Sequence, residues 1–169
     1  MSRFFPHSPY AEEQPYSHTL LYSHVLYRGF QTGVTLGLGS IALQSAYGYV
    51  RGRSSIPRAA FLPTTGRWAL ITTALMVPAT YGRMYGREEI EWQDRSWRLL
   101  ENKGQVETDD WSLVGTLAGA AASLRQSAWK ETGTTRTLRI AGGAGIGSMV
   151  GVAGYMVWRY GVHGDKREE

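Results

Sequence analysis

The stretch Arg28 to Arg51, RGFQTGVTLGLGSIALQSAYGYVR, runs for 22 residues between its two arginines without a formal charge, and Gly29, Gly33 and Gly37 recur along it at every fourth position. About 20 apolar residues, rising about 1.5 Å each, cross the hydrocarbon core of a bilayer. Small residues at i and i+4 form a flat face that a second backbone can approach closely. Together these features predict a membrane-spanning helix that packs through glycine.

Working outward, three further charge-free blocks follow. They lie between Arg67 and Arg83 (15 residues), Asp110 and Arg125 (14) and Arg139 and Arg159 (19). The overall mean hydropathy of −0.28 hides them, because it averages polar connections with blocks built from Gly, Ala and Thr. The two middle blocks are short for a bilayer. They reach across it by extension into neighbouring residues or by snorkelling of the flanking arginines. Trp68, Trp111, Trp129 and Trp158 fall at the expected span ends, with Tyr27, Tyr49, Tyr81 and Tyr160 nearby, as in an aromatic belt. The expected fold is an all-α membrane protein of about four transmembrane helices, at about 28–50, 66–83, 111–129 and 140–158.

Small residues stand in register in three of the blocks: Gly29, Gly33 and Gly37; Gly115, Gly119 and Ser123; Gly143, Gly147 and Gly151. Each glycine costs a helix about 1 kcal/mol against alanine in water. Their repetition therefore implies compensation by close packing, either within the chain or against a partner. The second block carries Pro78 instead, which a span accommodates where neighbours satisfy the freed carbonyl.

The connections set an orientation. Arg51, Arg53, Arg58 and Arg67 share one connection with no acid, and Arg125, Lys130, Arg136 and Arg139 share another with Glu131 alone. The connection from 83 to 110 holds five basic and eight acidic residues. The positive-inside rule places the two basic connections on one face and both termini with the acidic connection on the other. Arg51, Arg53, Arg58, Arg67, Arg136 and Arg139 are candidates for anionic headgroups such as cardiolipin, or they serve to set topology alone. A pI near 9.5 in this arrangement suits lipid better than nucleic acid.

Within residues 84–110, Ile90 and Trp97, and Trp92 and Leu99, recur at seven-residue spacing beside the i, i+4 pairs Glu91–Arg95 and Asp94–Arg98. This predicts an amphipathic helix whose Trp92 and Trp97 face either a partner or the chain's own bundle. Residues 1–27 carry Pro6, Pro9 and Pro15, which oppose a helix until about Ser17. They form either an extended arm along a partner or a solvated segment. Residues 160–169 form a charged tail. Residues 1–24 contain no signal-peptide core, and Glu12 and Glu13 argue against an acid-poor presequence.

The chain carries few of the motifs that mark catalytic chemistry. His7, His18, His24 and His163 lack metal-ligand spacing, and no HExxH, CxxC or phosphate-binding loop occurs. The run Gly142 to Gly147 lacks the last glycine of a dinucleotide fingerprint and does not follow an expected strand. No catalytic residue, metal or cofactor is expected.

The phrase Ser8-Pro9-Tyr10, the run Tyr22 to Gly33 (YSHVLYRGFQTG) and the plan of four glycine-bearing blocks resemble the fungal-type accessory membrane subunits of mitochondrial respiratory complex I, the NUXM type. More loosely, the plan is similar to the Tim17/Tim22/Tim23 and B14.7 group. The chain departs from the translocase members there, whose signature Arg and Asp after the second span find no convincing counterpart around Arg83 to Asp94. The resemblance implies a supernumerary inner-membrane subunit without its own active site, partnered by other membrane subunits. The alternative is a Tim17-like translocase or channel component.

Overall fold

Pro6, Pro9 and Pro15 each lack an amide donor and fix φ, so the chain enters its first long helix only after them. In the computed structural model, which describes residues 2–53, 56–127 and 133–162, all regular structure among the described residues is helical. Helix α1 spans Ser17–Val50, α2 Arg58–Met84, α3 Glu89–Glu101, α4 Lys103–Ser127 and α5 Gly133–Met156, the last continuing as a π-helical segment over Val157–Val162. Trp129, Lys130, Glu131, the end of the expected 111–129 span and the tail from His163 onward lie outside the described residues.

The four long helices overrun the charge-free blocks. At about 1.5 Å per residue, the 34 residues of α1 rise about 51 Å and the 25 of α4 about 37 Å. Helix α2 runs through both Pro63 and Pro78. The acidic connection is shorter than the sequence suggests, because Lys103–Asp110 are the first turns of α4. Asn102 starts that helix: its Oδ1 accepts the Gln105 amide at 3.0 Å and its carbonyl accepts the Val106 amide at 3.0 Å.

On length and hydropathy together, one stretch among the described residues, Gly133–Val162, can cross a membrane by itself. The expectation of about four such helices is not met on that measure. The other long helices dilute Leu, Ile and Val with Gly, Thr, Ser and Gln, which lowers their hydropathy without adding charge to the middle of the block.

Helix α4 packs on α5, α1 on α2, and α2 on α5, with the amphipathic α3 lying across the first turns of α1. Polar side chains stand beside apolar ones in the interior, and many large apolar side chains face outward. Fully buried side chains include Thr65, Ser96, Asp109, Ser112 and Ser148 beside Val34, whereas Leu43, Leu75, Val114, Leu117 and Val150 are each more than half exposed. Several buried hydroxyls are satisfied by the preceding turn of their own helix, although that of Thr80 has no partner among the described residues. Thr72 Oγ1, for example, donates to the Trp68 carbonyl at 2.7 Å.

The N-terminal arm folds back onto α3 and α4. Gln14, almost fully buried, donates from Nε2 to the carbonyls of Pro6 (2.8 Å) and Pro15 (3.1 Å). Tyr16 takes a φ of 57°, turning the chain into α1. Ser17 does not cap that helix; its hydroxyl instead donates to Glu89 on α3 at 2.7 Å. Of the two tryptophans expected to face a partner or the chain's own bundle, Trp92 packs against the bundle and Trp97 meets the N-terminal arm. Trp92 is buried with Leu21 and Met84 and stacks on His18 at 3.9 Å, and Trp97 donates from Nε1 to the Ser8 carbonyl at 3.0 Å.

Hydrogen bonds from Ser17 and His18 hold the Glu89 carboxyl below its ordinary range, although the group is largely exposed. A carboxyl with a depressed folded-state value stabilises the fold above its ordinary value, 4.5, and that contribution is lost as pH falls below it. The Trp92 emission is therefore expected to shift towards that of exposed tryptophan below about pH 4.5, as the Ser17–Glu89 tie opens. Glu89→Gln should flatten that part of the titration; an identical acid transition in the variant would place its origin elsewhere.

Candidate functional site

Three features concentrate the unusual chemistry of this fold: glycine faces, a buried ion pair and a basic end. The glycines come first, because they set the helix separations. A Cβ added at Gly29 would strike Met76, at Gly33 the Thr72 hydroxyl and Trp68 carbonyl, and at Gly37 the Thr65 Cα at 2.8 Å. All three glycines seat α1 on α2. Gly115 and Gly147 face each other so closely that a Cβ on either would overlap the other's carbonyl oxygen. A Cβ at Gly119 would overlap the Gly143 carbonyl, one at Gly143 the Ser123 hydroxyl, and one at Gly151 the Trp111 carbonyl. Thus the eight glycines singled out from sequence lie in contacts between helices of this chain.

Sequence spacing missed a third glycine contact. A Cβ at Gly66 would overlap the Leu138 carbonyl, and one at Gly142 the Leu62 carbonyl, so these two seat α2 on α5. Neither belongs to a register of three, and only the tertiary pairing reveals them.

The second feature is a polar cluster joining α1 to α4 and α5. Asp109, with no exposed surface, accepts from Arg28 Nη2 at 2.6 Å and from Gln105 Nε2 at 2.9 Å, and His24 Nδ1 stands 3.7 Å from its other oxygen. Arg28 also donates from Nη1 to Gln31 at 2.5 Å, and Gln31 Nε2 donates to Ser148 Oγ at 2.7 Å. The Tyr27 hydroxyl sits among Ser112 (3.1 Å), Thr116 (2.9 Å) and Ser148 (3.3 Å). A buried carboxylate in low dielectric demands both a countercharge and hydrogen bonds, and this arrangement supplies them. The cluster is built to hold helices in register. Among the described residues no group of three His, Asp or Glu could hold a metal.

Sequence reading took Arg28 as a span boundary and Asp109 as a loop residue. The signal was nonetheless present: Gln105, Asp109, Ser112 and Thr116 repeat at intervals of four, three and four, and His24, Arg28 and Gln31 on α1 at four and three. Each set is a polar stripe on one face of a helix.

The third feature is the end of the bundle formed by the C-terminus of α1 and the N-termini of α2 and α5. Arg51, Arg53, Arg58 and Arg67 are exposed there, with Arg51 over the Tyr47 ring at 5.3 Å, and Arg136 and Arg139 are half-buried on α5. Every acidic residue among those described lies elsewhere, in the arm, at or within α3, or in the first turns of α4. The two ends of the bundle thus differ sharply in charge.

Glycine-seated helices and a partly polar interior define an all-helical bundle. The chain belongs to the family described as protein of unknown function (DUF1757), whose model matches residues 8–157. No curated protein and no solved structure matches the chain. Membership in this family carries no statement about complex I or a translocase.

Proposed function

We propose that this chain is a membrane-embedded helical bundle acting as a non-catalytic accessory subunit of a mitochondrial inner-membrane respiratory complex, NADH:ubiquinone oxidoreductase (complex I). The observation that carries the membrane reading is the exposure of large apolar side chains over an interior that includes polar ones: Leu43, Val114 and Val150 are 74%, 68% and 65% exposed while Asp109, Ser112 and Ser148 are 0% exposed. In water that surface would be an aggregation hazard; in lipid it is the required one, and small residues then pack helices that lack a hydrophobic drive to associate. On this reading α1, α2, α4 and α5 cross the bilayer, the basic end faces the matrix, and both termini with α3 face the intermembrane space. Other membrane subunits cover part of the outer face. The complex I assignment itself rests on the resemblance of the N-terminal phrases and the four-block plan.

Blue-native electrophoresis of mild-detergent extracts tests the assignment. The chain is expected to migrate with complex I, and depletion should reduce the assembled complex before other respiratory assemblies fall. Migration of the chain alone, or with a different assembly, overturns it. A second reading, a Tim17-type translocase component, draws on the exposed Thr35 and Gln44 of α1, polar groups on a face that would otherwise meet lipid. Loss of presequence import with respiration initially intact would favour that reading.

A further inference from the structure

At the basic end, the last part of α1, the residues just before α2 and the starts of α2 and α5 enclose an open groove of about 530 Å³. Its walls are apolar: Ile41 from α1, Ile56 from the connection, and Phe61 and Leu62 from α2. Two arginines line it from elements far apart in sequence, Arg58 at the first turn of α2 and Arg139 in the second turn of α5. Guanidinium groups match phosphate oxygens bidentately. An apolar trough beside them matches an acyl chain. The remaining arginines of this end, Arg51, Arg53, Arg67 and Arg136, add positive potential.

We propose that this groove is a binding site for an anionic phospholipid, with the headgroup phosphate held by Arg58 and Arg139 and one acyl chain lying along Ile41, Phe61 and Leu62. The inference rests on the membrane reading given above. A soluble phosphate metabolite would leave the apolar walls unused, and a zwitterionic lipid would bring its own cation to an already basic end. The bound lipid would also bridge α1, α2 and α5 at the end opposite the Arg28–Asp109 pair, so that each end of the bundle has its own tie.

The test uses the full chain, purified in detergent, stripped of lipid and titrated with cardiolipin, phosphatidylglycerol, phosphatidylcholine or inorganic phosphate, with retained ligand read by native mass spectrometry. Cardiolipin and phosphatidylglycerol are expected to be retained about tenfold more strongly than phosphatidylcholine. The Arg58→Gln/Arg139→Gln variant should lose that preference, whereas Arg83→Gln at the other end should keep it. Should the double variant fail to fold, Arg58→Gln alone, at an exposed position, is expected to lower anionic retention at least threefold. Equal retention of phosphatidylcholine, an unaltered preference in the folded variants, or full competition by inorganic phosphate overturns the proposal. Alkaline extraction of native membranes separates its failure from that of its premise. A chain released as a soluble protein sinks the membrane reading, whereas a chain that stays in the membrane yet shows no anionic preference sinks the lipid site alone.

Discussion

Replacing Arg28 by methionine is expected to cost about 3–5 kcal/mol of stability, more than any other single change in the polar cluster, because it leaves a carboxylate buried without its guanidinium. The two partners are not equivalent. Asp109 has no exposed surface, whereas the Arg28 side chain keeps 29% of its own. Asp109→Leu therefore leaves a cation whose long stem can swing outward, and its cost should be lower, about 2 kcal/mol. The double variant Arg28→Met/Asp109→Leu removes both charges and should recover most of the loss, since an ion pair in low dielectric gains little over apolar packing once desolvation is counted. Thermal unfolding in one detergent, followed by tryptophan emission, gives all four corners of the cycle. Arg28→Met melting with the parent chain, or a double variant less stable than both single ones, would show that the pair does not hold α1 to α4.

The position of that pair explains why it exists. Helix α1 packs chiefly on α2, while α4 packs chiefly on α5. Glycine and threonine faces bring backbones close but discriminate weakly between neighbouring registers, because one small residue resembles the next. Arg28–Asp109, Gln31–Ser148 and Tyr27–Thr116 reach across from α1 to the α4–α5 pair, and the charged pair in particular ties α1 to one position on α4.

How much of this was legible in the sequence depends on whether a feature is local. The registers 29/33/37, 115/119 and 143/147/151 repeat along single helices, so their spacing alone marks them as contact faces; what they touch, within the chain or outside it, is a tertiary fact. Gly66 and Gly142 are isolated in sequence and acquire meaning only against Leu138 and Leu62. The break between connection and helix was misplaced because charge was used to mark it. Lys103, Glu107, Asp109 and Asp110 are charged yet helical, in a helix started by Asn102, and the three acids are partnered by other elements, as when Glu107 accepts from Tyr155 at 2.8 Å and from Arg159 at 3.1 Å. The arm was opaque for a related reason. Its order comes from Gln14, Ser8 and His7 meeting Trp97 and their own backbone, contacts that no periodicity announces.

Gly147→Leu is expected to lower stability by about 3 kcal/mol or more, the upper range for overpacking, because the atom it strikes cannot rotate away. A Cβ at Gly147 overlaps the Gly115 carbonyl oxygen and comes within 3.0 Å of the Gly119 Cα, both backbone atoms of α4. Relief requires α4 and α5 to separate along their whole crossing, which loosens the Gly119–Gly143 and Gly151–Trp111 contacts as well. Gly39 supplies the control, since it lies on the same helix type with nothing within 4 Å of an added Cβ. Gly39→Leu should be neutral or gain up to about 1 kcal/mol in the isolated chain, through helix propensity alone. Opposite signs at the two sites, read from melting temperatures in the same detergent, would establish that the glycine registers act by close backbone approach. Equal, small effects at both would mean that α4 and α5 part easily at their crossing, and the spacing would then reflect composition rather than packing.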